Sequence, residues 1–293
     1  MKPLLGAHLS IAGGLPRALL RGEALHCRTI QIFTTNPNRW KSRDLRPEEI
    51  RAFREIRART GIHPVISHGS YLVNLASSDP FLYGKSIEVM GVEVRRCHLL
   101  GISAVVVHPG FHGGRGEREG LRRVSAAVNE ILAATNGLDV RIVLESTAGQ
   151  GTALGGRFEH FAALFDHVGQ VRRVGLCIDT CHVFAAGYDL RTPGAYDRMV
   201  TAVETTVGLG KLELFHLNDS LGEAGSRVDR HAHIGEGRIG LPAFRRIMRD
   251  ERFIGVPKII ETPKGDPFHG RDGADRRNLA LLRRLSARRP DRT

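Results

Sequence analysis

Short apolar runs alternate with longer amphipathic stretches along the whole sequence, and this alternation limits the folds that the chain can adopt. The runs are rich in β-branched residues and nearly continuous in hydrophobicity, as in parallel strands that are covered on both faces. They occupy residues 4–10, 29–35, 63–68, 103–109, 141–147, 174–180, 212–218 and 256–262. Helical periodicity marks the intervening residues 45–60, 85–100 and 119–135, and a last helix is expected around residues 272–287.

Eight strand-then-helix units in a chain of 293 residues fit a single (β/α)8 barrel, an α/β fold also called a TIM barrel. A doubly wound sheet is the alternative architecture. Because no stretch rich in proline, glycine and serine divides the chain, we predict one domain over residues 1–293, with a charged, frayed tail at 288–293. Residues 219–240 are too long for an ordinary connection and are expected to be functional.

The net charge of +12 favours a polyanionic partner such as nucleic acid, although a general arginine bias of the proteome is an alternative explanation. No apolar run is long enough to span a membrane, and the N-terminus makes a poor signal peptide. These features predict a cytoplasmic protein with no membrane partner. Four cysteines are too few to staple a chain of this length with disulfides.

Six consecutive predicted strands end in a histidine or a carboxylate. In chain order these residues are His68, His108, Glu145, Asp179, His216 and Glu261. Barrel enzymes build their active sites at the carboxyl ends of the strands, so we expect these side chains to share one rim. Three further candidates follow the sixth strand or lie in the long loop after the seventh, namely His182, Asp229 and His231.

Nine such residues together indicate bound metal, because burying this many ionisable groups without balancing cations would cost several kcal/mol each. Imidazole and carboxylate ligands favour Zn²⁺, with Mn²⁺ or Fe²⁺ as substitutes. Nine ligands are too many for one tetrahedral ion but suit two or three. Four carboxylates and three divalent ions would together have a net charge of +2, which suits binding of a negatively charged phosphate group during its reaction.

The segment CIDTCH at residues 177–182 contains two cysteines beside the candidate ligands Asp179 and His182. Cys177 shares a strand face with Asp179, so we expect it one layer deeper inside the barrel, and Cys181 is expected to fill space in the turn. A four-cysteine zinc site would also need Cys27 and Cys97, which both lie far from the predicted rim. The cysteines are therefore interpreted as small buried neighbours of the ligands.

Several long segments resemble the endonuclease IV family, the zinc-dependent apurinic/apyrimidinic endonucleases. They are GAHLSIAGGL (6–15), HGSYLVNL (68–75), HPG (108–110), LESTAGQG (144–151), CIDTCHVFAAGYD (177–189), HLNDS (216–220) and GSRVDRHAHIGEGRIG (225–240). The resemblance covers essentially the whole chain and implies a (β/α)8 barrel that holds three zinc ions at its carboxyl-terminal rim. The resemblance assigns His68 and His108 to the first ion, and Glu145 as a bridge between the first and the second. Asp179, His216 and Glu261 complete the second site. The third ion is assigned to His182, Asp229 and His231.

The resemblance also implies an activity on double-stranded DNA, with Glu145 and Glu261 as the central catalytic residues. The enzyme would hydrolyse the phosphodiester 5′ to an abasic site and leave a 3′-hydroxyl and a 5′-deoxyribose phosphate. It would also remove 3′-blocking groups during base excision repair, acting as a monomer at the bacterial nucleoid. Two rival classes are a divalent-metal sugar isomerase or epimerase of related barrel fold and a catalytically idle DNA-binding protein with structural metal.

Five further residues resemble the DNA contacts of the family. Tyr71 and Leu72 match its wedge residues and would enter the base stack from the minor groove. The loop at 33–40 matches the family's probe of the damaged site, but Asn38 stands where a basic residue is usual, and the adjacent Arg39 is the candidate to replace it. Arg230 is expected to contact the phosphate backbone.

Overall fold

A computed structural model gives the structure of residues 3–265 and 272–287, so the charged tail expected at 288–293 lies outside the described residues. The strands are β1 (Leu5–His8), β2 (Thr29–Ile32), β3 (Val65–His68), β4 (Ala104–Val107), β5 (Arg141–Glu145), β6 (Val174–Asp179), β7 (Leu212–His216), β8 (Asp219–Ser220), β9 (His231–Ala232) and β10 (Lys258–Ile260). The α-helices are α1 (Leu15–Ala24), α2 (Pro47–Thr60), α3 (Pro80–Leu100), α4 (Glu117–Ala134), α5 (Phe158–Asp166), α6 (Thr180–Ala186), α7 (Pro193–Thr206), α8 (Leu241–Arg249) and α9 (Gly273–Ser286).

Eight parallel strands close into a barrel in the order β1-β10-β7-β6-β5-β4-β3-β2. Closure is direct, because β1 pairs in parallel with both β2 and β10. The predicted (β/α)8 barrel is therefore confirmed, and the doubly wound alternative is wrong. None of the helices in the described part of the chain is long and apolar enough to cross a membrane.

The inside of the barrel is filled by a compact apolar plug. Its residues are Ile66, Ala104, Val106, Val143, Cys177, Leu214 and Ile259. A second and larger core lies between the outer faces of the strands and the surrounding helices. Side chains alternate between the two faces of a strand, so every second residue points into the barrel.

This alternation places the six predicted rim residues directly above the plug. Each follows a plug residue by two positions, in the pairs Ile66 and His68, Val106 and His108, Val143 and Glu145, Cys177 and Asp179, Leu214 and His216, and Ile259 and Glu261. The pairing also confirms that Cys177 lies one layer below Asp179. The carboxyl ends of six neighbouring strands therefore direct polar side chains toward one point.

Some element boundaries differ from the sequence-based prediction for identifiable reasons. Helix α3 begins at Pro80, five residues before the predicted start, because the Asp79 carboxylate caps it by accepting hydrogen bonds from the Phe81 and Leu82 amides. The long segment 219–240 contains an unpredicted two-stranded antiparallel sheet, in which Asp219 pairs with Ala232. Strands of two residues are too short to leave a readable alternation in the sequence.

Candidate metal centre

All nine predicted ligands converge at the carboxyl-terminal end of the barrel, where they form three groups. The groups are His68, His108 and Glu145; Glu145, Asp179, His216 and Glu261; and His182, Asp229 and His231. Within each group, one potential ligand atom per residue lies within 4.8 Å of the others. Glu145 belongs to two groups and therefore links them.

In the first group, the Oε2 atom of Glu145 lies 3.2 Å from Nε2 of His68 and 3.1 Å from Nε2 of His108. The Nδ1 atom of His68 lies 2.8 Å from the carbonyl oxygen of Gly69, which can only accept a hydrogen bond. His68 therefore donates from Nδ1 and presents Nε2 to the group. This backbone contact fixes the ring, as the outer partners of metal-binding histidines do.

The second group is centred on His216, whose Nδ1 atom lies 2.7 Å from Oε1 of Glu145 and 3.1 Å from Oε2 of Glu261. Asp179 completes the group, with Oδ2 at 4.0 Å from the same nitrogen. The Asp179 side chain is held from behind, because its Oδ1 atom caps α6 by accepting hydrogen bonds from the amides of Cys181 and His182. One carboxylate oxygen thus orders the helix while the other faces the group.

The third group stands between α6 and the long loop after β7. The Nε2 atoms of His182 and His231 lie 3.1 Å and 3.4 Å from Oδ1 of Asp229. Both rings point Nδ1 at backbone carbonyls, those of Ser146 and Glu261. The Nε2 atom of His231 is buried and has no hydrogen-bond partner among the described residues, as a ligand atom directed at a cation would be.

Electrostatics in the centre favour bound positive charge. Burial opposes ionisation of Glu145, but the charges of His216 and His108 outweigh it and hold the pKa of Glu145 well below its usual range. Burial also lowers the pKa of His182 and His231, yet Asp179 and Asp229 raise them to about 10 and about 9. The carboxylates therefore draw protons onto the imidazoles when no stronger cation is present, and a divalent ion would displace those protons.

The donor set is five imidazoles and four carboxylates, and Glu145 and Asp179 are completely buried. Such ligands suit Zn²⁺ and related divalent ions, and the two fully buried carboxylates need nearby cations to offset their desolvation. The residues present could therefore bind metal ions, and each of the three groups could hold one.

The cysteines come near two of these groups without being good ligands. Cys177 lies near Glu145 and His216, and Cys181 lies near Asp179 and His231. Burial raises the pKa of each thiol to about 12, so both remain neutral thiols in the metal-free protein. Cys27 and Cys97 are free and buried in the core between strands and helices.

Two residues that the sequence reasoning missed hold the ligands in place. The amide of Gln31, on β2, donates a hydrogen bond of 2.6 Å to Oε1 of Glu261 and places its oxygen 2.9 Å from Nε2 of His216. Asn218 donates to Oδ2 of Asp179 over 2.6 Å. A polar amide between the two isoleucines of a predicted strand is the sequence signal that could have revealed Gln31, which is completely buried.

An open cleft of about 690 Å³ lies above the centre and is lined by ligands together with Phe33, Pro37, Tyr71 and Lys264. Tyr71 is 64% exposed, and its ring stands edge-on to that of Phe33 at 5.1 Å. The Ser70 hydroxyl donates to the Pro37 carbonyl over 2.5 Å, which joins the Tyr71 loop to the loop at 33–40. These two loops therefore form one side of the cleft.

The remaining predicted DNA contacts differ in their exposure. Leu72 is half-buried, whereas Asn38, Arg39 and Arg230 are exposed. Arg39 lines a separate cavity of about 260 Å³ beneath its own loop, together with Trp40 and the buried Glu93. Because Arg39 does not line the cleft over the metal centre, its suggested replacement of a basic residue at Asn38 would require a shift of this loop.

Comparison with known proteins identifies close relatives. Residues 21–285 match the family described as Xylose isomerase-like TIM barrel. A probable endonuclease 4 from Chloroflexus aurantiacus is 50% identical over 283 residues, which cover 97% of this chain and 98% of the relative. A probable endonuclease 4 from Geotalea daltonii is 45% identical over 289 residues, covering 99% of this chain and 100% of the relative.

Solved structures show the same relationship. The crystal structure of endonuclease IV from Thermus thermophilus has a TM-score of 0.84 and 38% identity, covering 97% of this chain and 98% of that chain. A D-tagatose 3-epimerase-like protein also matches, with a TM-score of 0.70, 17% identity and coverage of 96% and 95%. The likeness to the second protein shows a shared barrel fold alone.

Proposed function

Because this chain belongs to the endonuclease IV family and is a nuclease, we propose that it repairs double-stranded DNA at abasic sites. It hydrolyses the phosphodiester 5′ to the lesion and leaves a 3′-hydroxyl and a 5′-deoxyribose phosphate. It also removes 3′-blocking groups, and both reactions serve base excision repair. The observation that carries this proposal is the convergence of nine ligand-type side chains into three groups linked by Glu145.

We assign three Zn²⁺ ions to the three groups, with Mn²⁺ or Fe²⁺ able to replace some of them. His68, His108 and Glu145 hold the first; Glu145, Asp179, His216 and Glu261 hold the second; His182, Asp229 and His231 hold the third. When bound, clustered divalent ions supply Lewis acidity that lowers the pKa of water and stabilises charge on phosphoryl and leaving oxygens.

The chain itself contributes a rigid framework for that chemistry. Glu145 directs one oxygen to His108 and the other to His216, so it bridges two groups without moving. Asp179 is fixed by its cap on α6, and His68 by the Gly69 carbonyl. Such pre-organisation matters because catalytic charge stabilisation is lost when ligands must reorient during reaction.

The exposed loops of the cleft select the lesion. Tyr71 projects from the rim, and together with Leu72 it would fill the gap that opens when a damaged nucleotide leaves the stack. A nucleotide that lacks its base costs less to unstack and unpair, which favours abasic sites over intact DNA. Asn38, Arg39 and Arg230 would contact the sugar-phosphate backbone, Arg39 after a shift of its loop, and the support is that all three are exposed. The net charge of +12 attracts DNA in general.

We further propose that the whole chain, residues 1–293, acts as one domain and as a monomer at the bacterial nucleoid. The support is that a single rim carries both the metal groups and the proposed DNA contacts, so no second copy is needed. Light scattering of the purified protein, alone and with duplex DNA, would show one protein per duplex. Two copies per lesion would contradict the monomer.

The rival function is that of a sugar isomerase or epimerase. It draws support from the barrel shared with the D-tagatose 3-epimerase-like protein, which is 17% identical to this chain. That chemistry requires a base for a sugar carbon and two metal ions, and it leaves the third group and the charge of +12 without a role. The nuclease assignment accounts for both features.

The test is incubation of zinc-loaded protein with a duplex that carries one tetrahydrofuran analogue of an abasic site. The analogue cannot undergo β-elimination, so a nick ending in a 3′-hydroxyl demonstrates hydrolysis. The undamaged duplex and chelator-treated protein serve as controls, and a duplex with a 3′-phosphate tests removal of blocking groups. An intact strand in the presence of fully metallated protein would refute the proposal.

A further inference from the structure

We propose that Gln31 is a positioning residue that orients His216 and Glu261 and thereby raises the affinity of the central group for its ion. This inference rests on the proposed function, because it treats both residues as metal ligands. Gln31 lies on β2, a strand that supplies no member of the three groups, and its side chain is completely buried. Its nearest strand partners in register are His8 and Ile66.

The Glu261 carboxylate determines how the Gln31 amide is turned. A carboxylate can only accept, so the amide nitrogen must face Oε1 of Glu261, at 2.6 Å. The amide oxygen then faces Nε2 of His216, at 2.9 Å. One side chain thus joins two proposed ligands that come from different strands and lie 45 residues apart (261 minus 216).

The Gln31 amide in turn determines which nitrogen of His216 is available. An amide oxygen is an acceptor, so Nε2 of His216 carries the proton and donates it to Gln31. In neutral His216, Nδ1 then has a free lone pair directed at Glu145 and Glu261. His68, His182 and His231 have the opposite arrangement, since each turns Nδ1 to a backbone carbonyl, and no such carbonyl contacts His216 among its described hydrogen bonds.

Gln31 also selects the oxygen that Glu261 offers. Its amide nitrogen and Nδ1 of His8, at 2.7 Å, both contact Oε1 of Glu261. The other oxygen, Oε2, is left facing Nδ1 of His216 at 3.1 Å. Without the amide, the Glu261 carboxylate would lose one of these two contacts and keep the one to His8. The His216 imidazole would lose its acceptor at Nε2, so both side chains would be held less firmly. Outer partners of this kind change metal affinity by about 10–100-fold when they are removed.

The experiment measures zinc affinity by competition with a chromophoric chelator. Gln31→Met keeps the length of the side chain but removes the hydrogen bonds to Glu261 and His216, together with the 3.0 Å contact to Nδ1 of His8. Gln31→Asn keeps the amide on a side chain too short to span both ligands. Thr29→Val is the matched control, because Thr29 is buried on the same strand and face and its hydroxyl donates to the Pro64 carbonyl, not to a proposed ligand. We expect one of the zinc sites to weaken by about 10–100-fold in both Gln31 variants and to stay unchanged in the control.

Unfolding of the metal-free proteins separates positioning from general support of the barrel. A merely structural role would lower the free energy of unfolding and leave zinc affinity unchanged, which would overturn the inference. Equal zinc affinity in wild type, Q31M and Q31N, or an equal loss in T29V, would also overturn it. Wild-type protein that binds zinc but leaves abasic DNA intact would refute the proposed function and not the role of Gln31, whereas failure to bind zinc would refute both.

Discussion

Oε1 of Glu145 lies 2.7 Å from Nδ1 of His216, and both side chains are completely buried at the end of their strands. The second oxygen of Glu145 reaches His108 on the other side, at 3.1 Å. One carboxylate therefore couples two of the three groups, and its neighbours hold its pKa well below the usual range. Changes at this residue should disturb both groups at once.

We predict that Glu145→Ala loses two of three zinc ions and lowers nicking of abasic DNA by several orders of magnitude, because it removes a ligand from two groups. Glu261→Gln should lower nicking to a similar degree, because it removes the charge of a proposed ligand in the central group. Metal analysis and the nicking assay measure these effects. Glu213→Gln is the control, since Glu213 lies on β7 at the opposite end of the barrel beside Arg141. Wild-type nicking by either rim variant would contradict the metal assignment.

Replacement of Asp229 by alanine should remove the third zinc alone. Asp229 contacts both His182 and His231 but sits on an exposed loop, so its loss leaves the barrel and the other groups in place. We expect two zinc ions per chain and nearly unchanged thermal unfolding of the metal-free protein. Glu223→Ala changes an exposed carboxylate on the same loop and should keep all three. Loss of every ion from Asp229→Ala would show that the groups are not separable.

Because Lys258 is buried, we predict that the free energy of unfolding depends on pH in an unusual way. Burial lowers its pKa from 10.5 to about 8, although its ammonium group donates to the carbonyls of Phe253 and Val256. The unfolded chain therefore binds more protons than the folded chain between about pH 8 and 10.5, and stability rises with pH across that window. The cost of burying the charged lysine is fully present below pH 8 and is relieved above pH 10.5.

A pKa that falls from 10.5 in the unfolded chain to about 8 in the folded protein corresponds to about 3 kcal/mol. Denaturant unfolding at pH 7 to 10.5 should show wild type gaining up to that amount relative to Lys258→Met. Other groups titrate in the same way in wild type and in Lys258→Met, so their contributions cancel in the difference between the two proteins. A difference that stays constant with pH would mean that Lys258 is charged with an ordinary pKa in the folded protein.

Arg96 on α3 clamps the loop that carries Asn38 and Arg39. Its guanidinium donates to the hydroxyl and carbonyl of Thr34 at one end of the loop and to the carbonyl of Arg43 at the other. Arg96→Met leaves both carbonyls without this donor, so we expect a loss of about 2 kcal/mol in the free energy of unfolding. Binding of abasic duplex should weaken while the zinc content remains unchanged.

The matched control is Arg95→Met, which removes the same charge from an exposed position on the same helix. It should leave stability within about 0.5 kcal/mol of wild type. Denaturant unfolding, fluorescence anisotropy with labelled duplex and metal analysis supply the three readouts. If the two variants bind DNA equally well, the geometry of this loop does not govern recognition.

Much of the barrel and the membership of its rim could be predicted from the sequence, because both depend on short periodic patterns. Apolar runs at regular intervals predict strands, and the two-residue alternation of a strand places His68, Glu145 and Asp179 above the apolar plug. The positions of Tyr71 and Asn38 at the rim follow in the same way from the strands that precede them. Their contacts with DNA remain predictions.

Other features depended on distances that no local pattern encodes. The bond between Gln31 and His216 joins residues 185 positions apart. It exists because closure of the barrel through β1 and β10 brings β2 near β7. The antiparallel pair β8 and β9 is likewise too short to leave a periodic signature. The clamp of Arg96 on Thr34 joins a helix to a loop 62 residues earlier.

The sequence by itself therefore determined the barrel and the residues that its strands deliver to one rim, because strand periodicity is a property of the local backbone. Only the tertiary structure decided which ligand atoms face one another, which nitrogen each histidine presents, and which buried amide contacts His216 and Glu261. These properties depend on the packing of strands distant in sequence, where a shift of about one ångström changes which atoms can form a hydrogen bond.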